Sequence, residues 1–251
     1  MTTEADIRDY YDRRHRERGQ GAWRPPEAFP HFLDVTGAQP GRRMLDVGCG
    51  TGFLLKAAVA RGLDAFGVDI SEEAVRLARQ AEPKADIRLT SGERLPFDAG
   101  AFDYVFCLGA LEHFIDMKKG MMEMVRVAKA DARFCIVVPN VNFLYWSFSK
   151  TKGTEQQDIN ERLLSMEEWT AFFRDCGLEP AAVLQDRWWF LHRTRVFASP
   201  NPVRWVRAIL SKLKWRILPL RRTYQFIFIL RKAPAASGGR AESSPGGVNH
   251  G

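Results

Sequence analysis

The chain has 251 residues, 45% hydrophobic and 27% charged, which suits one α/β domain with additions and a sizeable core. Its net charge of +7 is lopsided: Arg187 to Lys232 holds 12 Lys/Arg and no acid, leaving 25 of the 37 basic residues against all 30 acids elsewhere. A mildly acidic body with one basic segment speaks against a globally basic nucleic-acid binder. Cys49, Cys107, Cys135 and Cys176 form no C-x-x-C pair and sit mostly in apolar runs, so they read as buried thiols of a reducing compartment rather than a disulfide or zinc framework. The charged N-terminus lacks an apolar signal core and no apolar run reaches the length of a bilayer span, so a cytoplasmic location is expected.

In chain order, Asp6 to Arg18 alternates charges with Tyr10 and Tyr11 and predicts an exposed helix, its tyrosines either packed on the body or folded over a ligand as a lid. Gly19 to Pro30 is a Gly/Pro loop carrying Trp23, and His31 to Val35 a short helix stopped by Gly37 and Pro40. Met44 to Val47 then predicts a strand, Gly48-Cys49-Gly50-Thr51-Gly52 a glycine turn, and Phe53 to Arg61 a helix with Gly62 at its end. Strand, glycine turn and helix in that order describe a nucleotide-type cofactor loop, the alternative being a purely structural turn. Ala65 to Asp69 is a short strand ending in an acid about twenty residues past the turn. There a carboxylate can accept hydrogen bonds from both hydroxyls of a ribose, or simply begin a helix. Ser71 caps that next helix.

Ile87 to Thr90, Phe102 to Leu108 and Phe134 to Val138 predict three more strands, with Ser91 to Phe97 a loop and Met117 to Ala128 a helix. Ser165 caps a helix running to Cys176, where Gly177 stops it; Glu179 to Gln185 and Gln225 to Leu230 complete seven strands. The tail from Ala233 is rich in Gly, Ser, Ala and Pro and predicts disorder.

Several of these pieces carry one pattern. Asp46 lies two residues before a G-x-G-x-G loop, Asp69 ends the second strand, an acid precedes Leu95-Pro96-Phe97, Phe102-Asp103-Tyr104-Val105 opens the fourth strand, and Leu111-Glu112-His113 follows it. From about Arg43 to Lys232 the chain thereby resembles the class I S-adenosylmethionine-dependent methyltransferases, with a non-family insertion at Arg187–Arg222. The glycine spacing is not the G-x-G-x-x-G of dinucleotide enzymes, which disfavours a dehydrogenase. The resemblance implies a seven-stranded, mostly parallel sheet sandwiched by helices, its last strand antiparallel. It divides the chain into an N-terminal helical or lid segment (1–40), a Rossmann-like core (41–186), a basic aromatic insertion (187–222), a final strand (223–232) and the tail (233–251). It implies S-adenosylmethionine as cofactor, held by Asp46, Gly48, Cys49, Gly50, Gly52, Asp69, Ile70, Gly92, Glu93, Arg94 and Leu108, with Tyr11 from the lid. The Gly92–Arg94 turn would border the adenine, and Ser91 stands where the family often has an Asp.

Such a cofactor carries its own electrophile, so a general base is needed only for a hydroxyl or protonated amine. His113 is the base candidate, the alternative being that Glu112-His113 orders the helix or cofactor; Asp158, Glu155 and His192 are weaker ones. No carboxylate trio has metal spacing. Asn140, after Pro139, reads as an amide holding a loop. In the insertion, Val203, Val206, Leu210, Leu213 and Ile217 fall at helical spacing, with Arg204, Arg207 and Lys214 on another face and Trp205 and Trp215 added. That is either a helix packed on the domain with a solvated basic face or a peripheral contact with an anionic membrane, at its inner face. The expected function is methyl transfer to a small-molecule, glycan or lipid-linked acceptor, at oxygen. The alternatives are an RNA-modifying enzyme or a non-catalytic cofactor-binding protein.

Overall fold

The computed structural model describes residues 2–21, 24–147, 159–187 and 218–234. Two helices come first, α1 (Glu4–Arg18) and α2 (Ala28–Thr36). Then β1 (Arg43–Val47), α3 (Phe53–Ala60), β2 (Asp64–Asp69), α4 (Glu72–Ala81) and β3 (Asp86–Leu89) alternate. β4 (Phe102–Leu108), α5 (Met117–Val127), β5 (Ala128–Pro139), α6 (Met166–Asp175), β6 (Leu178–Gln185) and β7 (Gln225–Lys232) follow.

The strands form one sheet in the order β3-β2-β1-β4-β5-β7-β6. β7 lies antiparallel between β5 and β6, and the pairs among the first five strands are parallel. This is the seven-stranded arrangement expected from the sequence. Its order turns back at β1: the chain winds outward through β2 and β3, then returns to place β4 on the other side. A sheet of this kind has its ligand crevice beyond the carboxyl ends of the strands at that switch point.

Both faces of the sheet are buried, which explains why the strands are nearly continuous apolar runs rather than alternating ones. Leu45, Val105, Phe134, Ile136 and Phe228 pack with α5 and with Trp169 and Phe173 of α6 on one face. Met44, Phe106, Val137 and Ile227 pack with α2 and α3 on the other. Trp169 also donates its indole N–H to the Pro139 carbonyl at 2.8 Å, so this fully buried ring leaves no polar atom unpaired.

Three elements differ from the sequence expectation: α2 starts at Ala28, inside the predicted Gly19–Pro30 loop, and β5 and α1 also depart from it. β5 begins at Ala128, well before Phe134, because it continues directly from α5 and keeps its pairing with β4 through a register shift at Phe102/Tyr104. Helix α1 is not simply exposed. Thr3 and Asp6 close a capping box at its start, and Ile7 and His15 are buried. Asp12 accepts hydrogen bonds from the Ser71 hydroxyl at 2.6 Å and the Glu73 N–H at 3.1 Å, and Gln20 donates to the Leu77 carbonyl. Its charged residues therefore hide a docking face against α4, which periodicity alone could not separate from solvated polarity.

Trp23, Glu155, Asp158, His192, the predicted helix from Pro202 and the tail from 235 lie outside the described residues. The chain leaves the sheet after Gln185 of β6 and returns before Gln225 of β7. Because β6 runs with the parallel strands, both points are at the carboxyl edge of the sheet, on the side of the crevice. No described helix is long and apolar enough to cross a membrane.

Candidate functional site

The turn after β1 is held by backbone bonds that only this strand arrangement provides. The N–H groups of Gly48 and Cys49 both donate to the Val68 carbonyl of β2, at 2.8 and 3.0 Å. Gly48 has φ +75°, and a Cβ there would lie 2.5 Å from the Ala110 Cβ, so glycine is required by both conformation and space. Gly50, at φ +52°, faces open space with only the His15 ring near, 3.9 Å from where its Cβ would be. Gly52 faces away from the cavity, toward Ala78 of α4, and Cys49 is buried behind the loop, near Gly67.

Asp69, at the end of β2, is 8% exposed and braces two elements at once. One oxygen accepts the Gly50 N–H at 2.8 Å and the other the Ser71 N–H at 2.9 Å. Burial raises its pKa, opposed by these backbone donors, that of Ile70 and the nearby His15. Asp46 on β1 is fully enclosed. Burial, helped by the charge of Asp69, pushes its pKa up to about 8, and its Oδ1 has no hydrogen-bond partner.

Above these residues is a cleft partly open to solvent, about 810 Å³ of empty space when the open solvent at its mouth is included. Its floor is Gly48, Gly50, Asp69 and Ile70; one end is Thr90, Ser91, Gly92 and Glu93 with Phe114 and Ile115, and the other is Leu108, Gly109, Ala110 and His113. Glu4, Ile7, Tyr11 and His15 of α1 close it from above. Tyr11, Gly48, Gly50, Asp69, Ile70, Gly92, Glu93, Leu108 and His113 thus come together from six separate stretches of chain. Asp46, Cys49 and Gly52 lie beneath or behind them, and Arg94 is exposed and outside the lining.

Two local devices fix the ends of the cleft. Glu93 accepts the N–H groups of Ile115 and Asp116, at 2.8 and 3.2 Å, tying the loop after β3 to the turn after β4. That turn, Leu111–His113, is a short 3-10 helix that delivers the His113 ring to the cleft, edge-on to Tyr11 at 6.0 Å. Asn140 is fully buried, donating to the Thr223 and Arg221 carbonyls and accepting from Asn142 N–H, so its amide is committed to the loop.

Sequence reasoning missed Glu4, Ile7 and His15, although Ile7, Tyr11 and His15 stand four residues apart on one helical face. It also missed a buried polar cluster beside Gly109. There Arg24 donates to Asp186 at 3.0 and 3.1 Å, to Gln225 at 2.7 Å and, at 3.4 Å, to the Leu108 carbonyl. Asp186 and Gln225 lie 162 and 201 residues from Arg24, and none of the three belongs to a motif, so no local signal announces them. Among the described residues no group of three His/Cys/Asp/Glu is placed to hold a metal ion.

Residues 45–136 match the family described as "Methyltransferase domain", a span that contains the glycine loop, Asp69 and His113. The chain carries the domain of S-adenosylmethionine-dependent methyltransferases over this span. The match contains β1 through most of β5, the strands that form the floor and both ends of the cleft. Among curated relatives, the ubiquinone biosynthesis O-methyltransferase of Hahella chejuensis is 38% identical over 106 residues, 40% of this chain and 44% of that one. The protein of the same name from Bordetella avium is 29% identical over 173 residues, 63% of this chain and 70% of its own. Against the first of these, the similarity spans less than half of the relative's length. In three dimensions the fold is similar to geranyl diphosphate C-methyltransferase from Streptomyces coelicolor A3(2), with a TM-score of 0.60 at 19% identity over 83% of this chain and 80% of that one. That structure holds Mg2+, geranyl diphosphate and S-adenosyl-L-homocysteine.

Proposed function

We propose that this methyltransferase transfers the methyl of S-adenosylmethionine to a hydroxyl oxygen of a small, ring-bearing acceptor, with lipid-linked acceptors favoured over glycans. The observation that carries the oxygen assignment is the His113 imidazole at the end of the cleft beside Leu108 and Gly109, where a hydroxyl nucleophile needs a proton acceptor. The names of the Hahella and Bordetella relatives point the same way.

The residues fit the cofactor. The Asp69 carboxylate, braced by the backbone N–H groups of Gly50, Ser71 and Ile70, keeps accepting capacity for ribose hydroxyls. The unpartnered Asp46 Oδ1 offers a buried acceptor at the base of the glycine loop, where a cationic amino group would offset the burial of its charge. Gly48 and Gly50 let a ligand lie against bare backbone, and Ile70, Gly92 and Glu93 border a flat aromatic base. Cys49 and Gly52 support the loop from behind, and Leu108 lines the methyl-donor end. Tyr11 and α1 cover the whole and exclude water. When bound, the cofactor supplies an electrophilic methyl on a positively charged sulfur. The chain's own task is to orient that methyl and the acceptor oxygen in line, and to take the hydroxyl proton on His113.

A transfer screen with methyl-labelled cofactor against hydroxylated quinone precursors, glycans, lipids and RNA tests this reading. The expected product is an O-methyl ether of a ring hydroxyl. His113→Ala should then lower kcat by about a hundredfold or more while S-adenosylhomocysteine affinity holds. Label only in RNA, or undiminished turnover in the variant, would overturn the acceptor or the base respectively.

The basic aromatic segment is proposed to bring this cleft to an anionic surface. The motive is its ten Lys/Arg without an acid between Arg187 and Arg222, joined to the crevice side of the sheet at both ends. Each basic residue near an anionic bilayer adds about 1 kcal/mol, fading within a Debye length of roughly 10 Å. Co-sedimentation with anionic vesicles at low salt, lost on Arg204, Arg207 and Lys214→Glu, is the expected result. A native chain that ignores such vesicles at low salt removes this contact.

A further inference from the structure

His113 does not stand alone at the methyl-donor end of the cleft. Its neighbour Glu112 turns inward from the same 3-10 turn, 2% exposed, and places Oε1 4.0 Å from His113 Nε2. The same oxygen would be 3.7 Å from a Cβ at Gly109, the cleft-lining residue just after β4. Glu112 therefore sits directly behind the cleft wall rather than in it. Its other oxygen, Oε2, is buried with no hydrogen-bond partner. A carboxyl oxygen left so is costly, and chains normally pair such groups or put them to use.

A cation that could have neutralised Glu112 is close by and committed elsewhere. Arg24 spends its donors on Asp186, Gln225 and the Leu108 carbonyl and gives no hydrogen bond to Glu112. The remaining groups facing Glu112 do not neutralise it either. Glu161 opposes its charge, and Tyr11 of α1, Tyr224 before β7 and Cys107 of β4 are uncharged neighbours whose own ionisation it disfavours. Burial, reinforced by Glu161, pushes the Glu112 pKa up to about 8, against its own backbone hydrogen bond and the charge of Arg24. The group is thus poised to respond to a positive charge appearing beside it.

We propose that Glu112 is a positioning residue for His113: it orients the imidazole toward the acceptor hydroxyl and stabilises the imidazolium formed when that proton is taken. This rests on the O-methylation reading. In the step itself the acceptor's O–H bond breaks and its proton passes to the imidazole, while an oxygen pair forms the new O–CH3 bond as the methyl's bond to the cofactor sulfur breaks; that bond's electron pair stays on sulfur, and S-adenosylhomocysteine is the leaving group. Positive charge is thereby created 4.0 Å from Glu112. No oxidant or further reactant enters. The reading also accounts for Arg24: tied to Asp186, it keeps the pocket around Glu112 ordered without satisfying the carboxyl.

Two carboxyl and imidazole groups this close titrate as a pair, so the proposal has a readout that needs no acceptor. The imidazoles of 13C-histidine-labelled chain are followed by NMR from pH 5 to 9, with His113 assigned by its disappearance in His113→Gln. They are compared in wild type, Glu112→Gln and Glu112→Asp, each saturated with S-adenosylhomocysteine. In the wild type the His113 signal should titrate in two steps reaching to high pH. In Glu112→Gln it should collapse to a single step with its midpoint lower by roughly one pH unit or more. Glu112→Asp should restore part of the two-step behaviour. Identical single-step curves in wild type and Glu112→Gln would overturn the pairing, whatever the activity. Calorimetry on the same samples separates the two ideas. Failure of the wild type to bind S-adenosylhomocysteine would count against the cofactor reading, while the titration, repeated without ligand, still decides the role of Glu112. Should Glu112→Gln fail to fold, Glu112→Asp must shift the midpoint in the same direction, and an unmoved midpoint there overturns the proposal.

Discussion

Gly50→Val is expected to reduce S-adenosylhomocysteine affinity by at least about a hundredfold while the chain still folds. The variant places a β-branched side chain at φ +52°, a region such residues essentially avoid, and projects it into the cleft toward His15. Both effects act on the ligand more than on the core, because the nearest atom to the new Cβ is the His15 ring edge, in ordinary contact at 3.9 Å. A hundredfold corresponds to about 2.7 kcal/mol, within reach of one misplaced backbone turn plus lost ligand contact. Gly48 makes an instructive contrast. There the new side chain would collide with Ala110 at 2.5 Å, so the fold itself is put at risk and a loss of binding is harder to interpret. Calorimetric titration of a folded Gly50→Val chain giving wild-type affinity would show that the ligand does not approach this backbone.

The second large effect is expected at Asp69. Changing it to Ala removes a buried carboxylate that holds Gly50 and Ser71 through their N–H groups, besides the proposed pair of ribose hydroxyls. Charge-assisted hydrogen bonds of this kind contribute about 1.5–3 kcal/mol each, so affinity should fall roughly tenfold to a hundredfold or further. Asp69→Asn separates the two tasks. Its amide can still accept one backbone N–H, but its NH2 must face the other, so the glycine loop or the start of α4 loses its brace. If S-adenosylhomocysteine binds Asp69→Ala as tightly as the native chain, the ribose role passes to another residue.

These two positions are legible in the sequence because their constraints are local. A positive φ at a tight turn demands glycine within three residues of the strand end, and an acid at the end of the next strand keeps a fixed distance from it. Strand placement was legible for a similar reason: a sheet covered on both faces writes itself as apolar runs such as Phe102–Leu108 and Gln225–Leu230. The length of β5 was not, since its first half is partly exposed and owes its strand geometry to pairing with β4 rather than to its side chains.

The sequence by itself therefore determined the sheet, the glycine loop and the acid that ends the strand beside it. Tertiary structure alone decided what surrounds them. The charged face of α1 becomes the roof of the cleft only because Asp12 finds the start of α4, 59 residues away in the chain. The buried cluster of Arg24, Asp186 and Gln225 exists only because the antiparallel β7 returns beside β6, bringing residues 162 and 201 positions from Arg24 into hydrogen-bonding distance of it. Glu112 was visible as a letter in Leu-Glu-His, but its environment was not. Whether a carboxylate is solvated, paired or buried without a partner depends on how every neighbouring element packs, and no spacing in the chain encodes that.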